Sequence, residues 1–153
     1  MRATQKFGPA PRRSTSPEIA ATIRPAKEAA ARLKRRVGRF AIFDFLEAIY
    51  HVYVDWKRRK IARRSARVFA DELGIVRRKS MSPIRVLIEA ILPGADLKQK
   101  SRWVRALEYV YSENVSPPKF RKFVGTHGGV AGCARLAVSL YRKRGRPGGD
   151  WND

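Results

Sequence analysis

The sequence predicts an all-α fold, a bundle of about five to six helices with basic ends. Three observations predict it. Apolar residues recur at about 100° per residue through the longest stretch free of Gly and Pro, Arg39 to Leu73. Serine followed by proline, an N-cap and a preset first turn, occurs at Ser82-Pro83 and again at Ser116-Pro117. No alternating apolar and polar run long enough for a strand occurs, and no internal repeat. The 153 residues suffice for one domain, and a hydrophobic content of 44 % can furnish its core. The expected organisation is a disordered basic arm over residues 1–25, a helical domain over 26–144 and a flexible tail over 145–153.

Ala26 to Val37 is built of strong helix formers and stops before Gly38. Its apolar residues are mostly alanine, so it needs a partner to be stable. Beyond Arg39, Ile42, Phe45, Leu46, Ile49, Tyr53 and Trp56 form one stripe, widened by Phe43, Tyr50 and Val54. After Trp56 the apolar face turns to Ile61, Ser65, Val68, Phe69 and Leu73, so a turn near residues 56–60 should divide two helices. Ser82-Pro83 opens a helix with Ile84, Leu87, Ile88 and Ile91 inside, and Pro93-Gly94 stops it. Asp96 with Gln99 three residues on opens another, to about Glu113, with Trp103, Leu107, Val110 and Tyr111 inward and Lys98, Arg102 and Arg105 outward. Ser116-Pro117 starts a short helix carrying Phe120, Phe123 and Val124, and a last one runs from about Val130 to Arg144.

Charge is the strongest functional signal. Lys and Arg number 34 against 13 Asp and Glu, a formal charge of +21. Arginine outnumbers lysine 23 to 11, which suits paired hydrogen bonds to phosphate. Residues 1–39 hold 11 basic and 2 acidic groups, residues 57–79 hold 10 and 2, and residues 115–153 hold 8 and 2. Residues 40–56 hold 3 acids and no Lys or Arg. A polyanion is the expected partner, DNA first and RNA as the alternative.

The densest cluster is Lys57, Arg58, Arg59, Lys60, Arg63, Arg64 and Arg67, seven cations in eleven residues, with Arg77, Arg78 and Lys79 as its extension. This pattern reads as a surface that tracks phosphates by releasing counterions. The C-terminal run Arg142-Lys143-Arg144-Gly145-Arg146-Pro147 contains a second signal. Its core, Arg144-Gly145-Arg146-Pro147, resembles the AT-hook, a short element that lies in the minor groove of A·T-rich DNA. The resemblance implies that Arg144 and Arg146 enter the groove while Gly145 lets the backbone approach and Pro147 extends the chain. Gly148, Gly149 and Asp150 come next, where the family has further basic residues. A third signal is the turn Gly125-Thr126-His127-Gly128-Gly129 between two helices. It is compatible with a helix-turn-helix presenting Gly129, Ala131, Gly132 and Arg135, and equally with a helical hairpin packed through its glycines. Lys100 to Tyr109 together with Gly128 to Ala134 resembles short basic proteins of bacterial mobile elements, which implies a DNA transaction and no established activity.

Other chemistry is poorly supplied. Asp44, Glu47, His51 and Asp55 share a helical face, and the expectation is ion pairing with arginines rather than a metal site. The single cysteine, Cys133, excludes an internal disulfide and reads as a small core residue. His127 and Cys133 have no motif to orient them as base and nucleophile, so no catalytic residue, metal or cofactor is assigned. Residues 1–17 lack the apolar core of a secretory signal, and Pro9, Pro11 and Pro17 oppose the amphipathic helix of an import peptide. No apolar run is long enough to span a membrane. The expected protein is a DNA-binding regulator or mobile-element accessory factor in a bacterial cytoplasm, on the nucleoid, with organelle and nucleus as open alternatives. The apolar helices 40–56 and 83–92 are compatible with a homodimer.

Overall fold

Helix follows helix through residues 17–36, 40–75 and 81–144, the residues described by a computed structural model. The α-helices are α1 (Pro17–Lys34), α2 (Ala41–Arg58), α3 (Ala62–Leu73), α4 (Pro83–Ile91), α5 (Leu97–Ser112), α6 (Phe120–Thr126) and α7 (Gly129–Arg144). A 3-10 turn, Pro117–Lys119, leads into α6, and no strand occurs among the described residues. The seven α-helices among the described residues exceed the five to six expected in total, while the breaks at residues 59–61 and 127–128 fall at the turns expected near residues 56–60 and 125–129.

The helix α2 occupies the centre, burying Phe45, Leu46, Ile49, Tyr50, Val52 and Trp56. Its buried face departs from the expected stripe. Val52 is inside, while Tyr53 and Val54 are half-buried and Ile42 is 37 % exposed. The cause is α1, which lies along the Ala48–Val52 side and buries Ile23, Ala26, Ala29 and Ala30 there. Alanines let the two backbones approach closely and lose no side-chain entropy on burial.

The helical domain starts earlier than the sequence suggested. Residues 17–25, assigned to the basic arm, form the first turns of α1, with Pro17 at its start and Pro25 inside it. An interior proline forfeits the bond to the carbonyl four residues back and crowds it. Burial of Ile23 and Ala26 on either side of Pro25 offsets that loss.

At α4 the sequence signals operate as read. The Ser82 hydroxyl accepts a hydrogen bond from the Arg85 amide at 3.3 Å, and Pro83 takes the first turn. Pro83, Ile84, Val86, Leu87, Ile88 and Ile91 are all buried, so α4 is apolar nearly all round. It packs on α2, α3 and α5 of its own chain, and this face does not call for a second copy.

Asp96 caps α5, accepting from the Gln99 amide at 3.2 Å. Trp103 meets Phe45 edge to face at 5.7 Å, joining α5 to the centre. Between α4 and α5 lies a polar network that composition did not reveal. The Lys100 ammonium, on a residue only 5 % exposed, donates to Glu89 at 2.8 Å and to the Pro93 carbonyl at 2.7 Å. Arg85 donates to the other Glu89 oxygen at 3.1 Å and to Ser101 at 3.1 Å. Arg105, expected to point outward, is half-buried.

The Tyr50 hydroxyl donates to the Val115 carbonyl at 2.5 Å, and its ring lies 5.2 Å from that of Phe120. These contacts tie the segment before α6 to α2. Ser116 makes no cap hydrogen bond, and Pro117 and Pro118 open the 3-10 turn instead. Gly128 and Gly129 both have positive φ, +81° and +73°, and turn the chain from α6 into α7. Among the described residues, no helix is long and apolar enough to cross a membrane.

Candidate nucleic-acid interface

The basic cluster folds into a corner. The α2 helix ends with the Ile61 amide donating to the Trp56 carbonyl at 2.9 Å and the Lys60 amide donating to the Lys57 carbonyl at 3.1 Å. This pair of bonds defines a Schellman ending, and it puts Lys60 in the left-handed region, φ +55°. Ile61 then packs on the core, and Trp56 stacks on Phe69 at 5.8 Å, which fixes α3 against the end of α2. The buried face of α3 is Ala62, Ser65, Ala66, Phe69 and Ala70. It is rotated from the expected face toward Ala62, Ala66 and Ala70, since Val68 is half-buried and Leu73 is 53 % exposed.

This geometry brings the predicted cations together. Arg58, Arg59 and Lys60 at the turn and Arg64 and Arg67 on α3 are exposed, with Lys57 and Arg63 half-buried beside them. Arg59 also reaches Asp55 at 3.5 Å, an i,i+4 pair open to solvent and worth at most a few tenths of a kcal/mol. The first turn of α3 has no acidic residue and no side-chain cap, yet it carries Arg63 and Arg64. Cations there oppose the helix dipole, at a cost of about 0.3–1 kcal/mol each. An anion at this corner would relieve that repulsion.

The remaining predicted residues lie elsewhere. Arg142, Lys143 and Arg144 are exposed on the last turn of α7, and Arg135 is exposed nearer its start. The α7 helix rests on α5 and α6, whereas α3 rests on α2 and α4, so the two basic surfaces belong to different halves of the bundle. Arg77, Arg78 and Lys79 lie outside the described residues, as do Gly145, Arg146 and Pro147 of the hook-like core.

The start of α7 packs closely against the α6–α7 turn. A Cβ on Gly132 would stand 2.1 Å from the His127 carbonyl oxygen, so the start of α7 fits only with glycine there. Gly132, Cys133, Ala134 and Ala137 are buried. Of the four residues considered for groove contact, Gly132 faces inward, Ala131 and Arg135 are exposed and Gly129 is half-buried. His127 stacks on Phe123 with centroids 3.9 Å apart, and its Nδ1 lies 2.7 Å from the Phe123 carbonyl, which makes that nitrogen the donor. Burial pushes the Cys133 thiol up to about 11, away from nucleophilic use.

The acidic face of α2 finds arginines, as the sequence suggested. Arg121 of α6 donates through Nε to Glu47 at 2.6 Å and through its other arm to Asp44. The hydrogen bond to Glu47, more than any other influence, raises its pKa further. With Pro25, Ala29 and His51 these groups line a groove of about 710 Å³ between α1 and α2. No group of three or more His, Cys, Asp or Glu side chains gathers to hold a metal among the described residues. Arg121 was missed because it lies 74 residues beyond Glu47, and only the unpaired look of the acidic face hinted at it.

No protein-family model, curated protein or solved structure matches this chain.

Proposed function

We propose that this protein binds DNA, chiefly through backbone phosphates held at the corner of α2 and α3. The observation that carries the reading is the gathering of Arg58, Arg59, Lys60, Arg64 and Arg67 on one exposed corner, beside a helix start that lacks an acid and a cap. Such a surface is costly without an anion and favourable with one. Each phosphate neutralised releases counterions, so binding gains mostly from entropy at low salt. The planar guanidinium suits phosphate oxygens better than an ammonium does, and four of these five cations are arginines.

The C-terminal run supplies the sequence preference. In this reading Arg144 and Arg146 enter the narrow minor groove of A·T-rich DNA while the α2–α3 corner holds the backbone. The biological role is that of a transcriptional regulator or mobile-element accessory factor. RNA binding uses the same charges and is the second reading.

Competition for a labelled duplex separates them. Unlabelled A·T-rich duplex, G·C-rich duplex and structured RNA are added at matched salt. The A·T-rich duplex is expected to compete best, and Arg144→Ala with Arg146→Ala should erase its advantage over G·C while sparing most affinity. Structured RNA outcompeting both duplexes would replace the DNA reading.

A further inference from the structure

We propose that the corner where α1 ends and α2 and α5 begin is a docking cleft for an acidic amphipathic segment of a partner protein. Leu33, Ile42, Leu92, Ala95 and Trp103 line a cleft of about 400 Å³, with Trp103 only 3 % exposed. Exposed apolar residues stand at the lining residue Ile42 and close in the chain to Ile42 and Asp96. Phe40 is 55 % exposed, Ile42 37 % and Leu97 66 %, three of the five large apolar side chains exposed among the described residues. Exposed apolar surface gathered around a concavity marks an interaction site more often than the same residues scattered.

The charge around the cleft selects the occupant. Lys34 and Arg36 line it and are exposed, and Arg35 and Lys98, next to lining residues in the chain, are exposed as well. The one acid among the lining residues, Asp96, is already engaged in capping α5. The fitting ligand is a helix with bulky apolar residues at i, i+3 and i+7 and carboxylates flanking them, one apolar side chain entering the cleft. A second copy fits badly, because a two-fold contact would set Lys34–Arg36 against the same cations of its mate. An anionic bilayer suits a convex apolar edge better than a cleft. The site is also separate from the proposed DNA surface, since Ile42 and Arg58 lie about 24 Å apart along α2.

The test uses the full ¹⁵N-labelled chain at about 0.15 M salt, where exposed long-range attraction is largely screened. The probe is a synthetic acidic helix of about 14 residues with Leu and Phe at the anchor positions. A peptide of equal charge with serine anchors is the control. The probe should shift amides within residues 33–36, 40–42 and 92–99, and bind about tenfold tighter than the control. Phe40→Ser with Leu97→Ser should weaken it by about as much. Both sites are exposed, and an unchanged melting curve shows that the double variant is folded. The probe should stay bound when duplex DNA is added. Equal binding of the serine peptide, or shifts centred on residues 58–67, would overturn the proposal. So would binding of phosphatidylglycerol vesicles at the same amides with none of the peptide.

Discussion

Replacing Lys60 with glycine should stabilise the protein while removing one of its cations. Lys60 holds φ +55° because the Schellman ending of α2 requires a left-handed residue there. A side chain in that conformation costs about 1–2 kcal/mol, and glycine returns about 0.5–1 kcal/mol of that through its greater freedom when unfolded. The net gain is about 0.5–1 kcal/mol, or roughly 1–4 °C in Tm for a chain of this size. Lys60→Ala is the control, since it removes the charge and keeps the Cβ. Both variants relieve repulsion within the cluster equally, so only the backbone contribution separates them. Thermal and urea unfolding of the three proteins should rank glycine well above alanine, with both losing a similar, small amount of DNA affinity. Alanine matching glycine in stability would refute the assignment of strain to this residue.

Ser65 is fully buried and its hydroxyl makes no hydrogen bond, so Ser65→Ala should stabilise by about 1 kcal/mol in urea unfolding. A loss of stability would mean that the hydroxyl is satisfied. Gly132→Ala would force a Cβ into the His127 carbonyl and should cost about 1–3 kcal/mol, read as a lower urea midpoint. Burial raises the Tyr50 hydroxyl to about 12 and the Cys133 thiol to about 11, above their ordinary values of 10.0 and 9.0. Groups with raised folded-state values favour folding below their unfolded values and lose that contribution as pH climbs. Stability should therefore be insensitive to these groups below pH 9 and fall between about 9 and 12, measured by denaturant titration. Over the neutral range, Cys133 should react with a disulfide reagent only as fast as the chain opens.

How far the sequence reveals this fold depends on whether a local signal decides the outcome. Ser82-Pro83, Asp96 and Gly74 mark helix ends correctly because each satisfies backbone groups within a few residues. Lys60 and Asn114 take the same left-handed role as Gly74, which a lysine does not announce, whereas asparagine is the residue type that most readily stands in for glycine there. Their conformation is imposed by the next residue of the chain, Ile61 and Val115 respectively, which packs onto the core. Residues 17–25, read as part of the basic arm, are helical although Pro25 lies inside the helix, because the packing of Ile23 and Ala26 outweighs the local rule against interior proline. Ile42 shares the period of the core stripe, but in the first turn of α2 it faces the end of α1 across an open cleft and stays 37 % exposed. The cationic corner was legible because its residues are sequential. The Arg121 clamp and the Lys100 network were not, since their partners are brought together only by the packing of separate helices.

The salt dependence of duplex binding tests the central claim most directly. Each phosphate contact contributes about 0.9 to the slope of log K against log salt concentration. Arg58→Gln, Arg64→Gln and Arg67→Gln together should therefore flatten the slope by about 2.7, so that between about 50 and 200 mM salt the native protein loses roughly 40-fold more affinity than the variant. Equal slopes for the two proteins, with the variant still folded, would contradict the assignment of phosphate contacts to this corner.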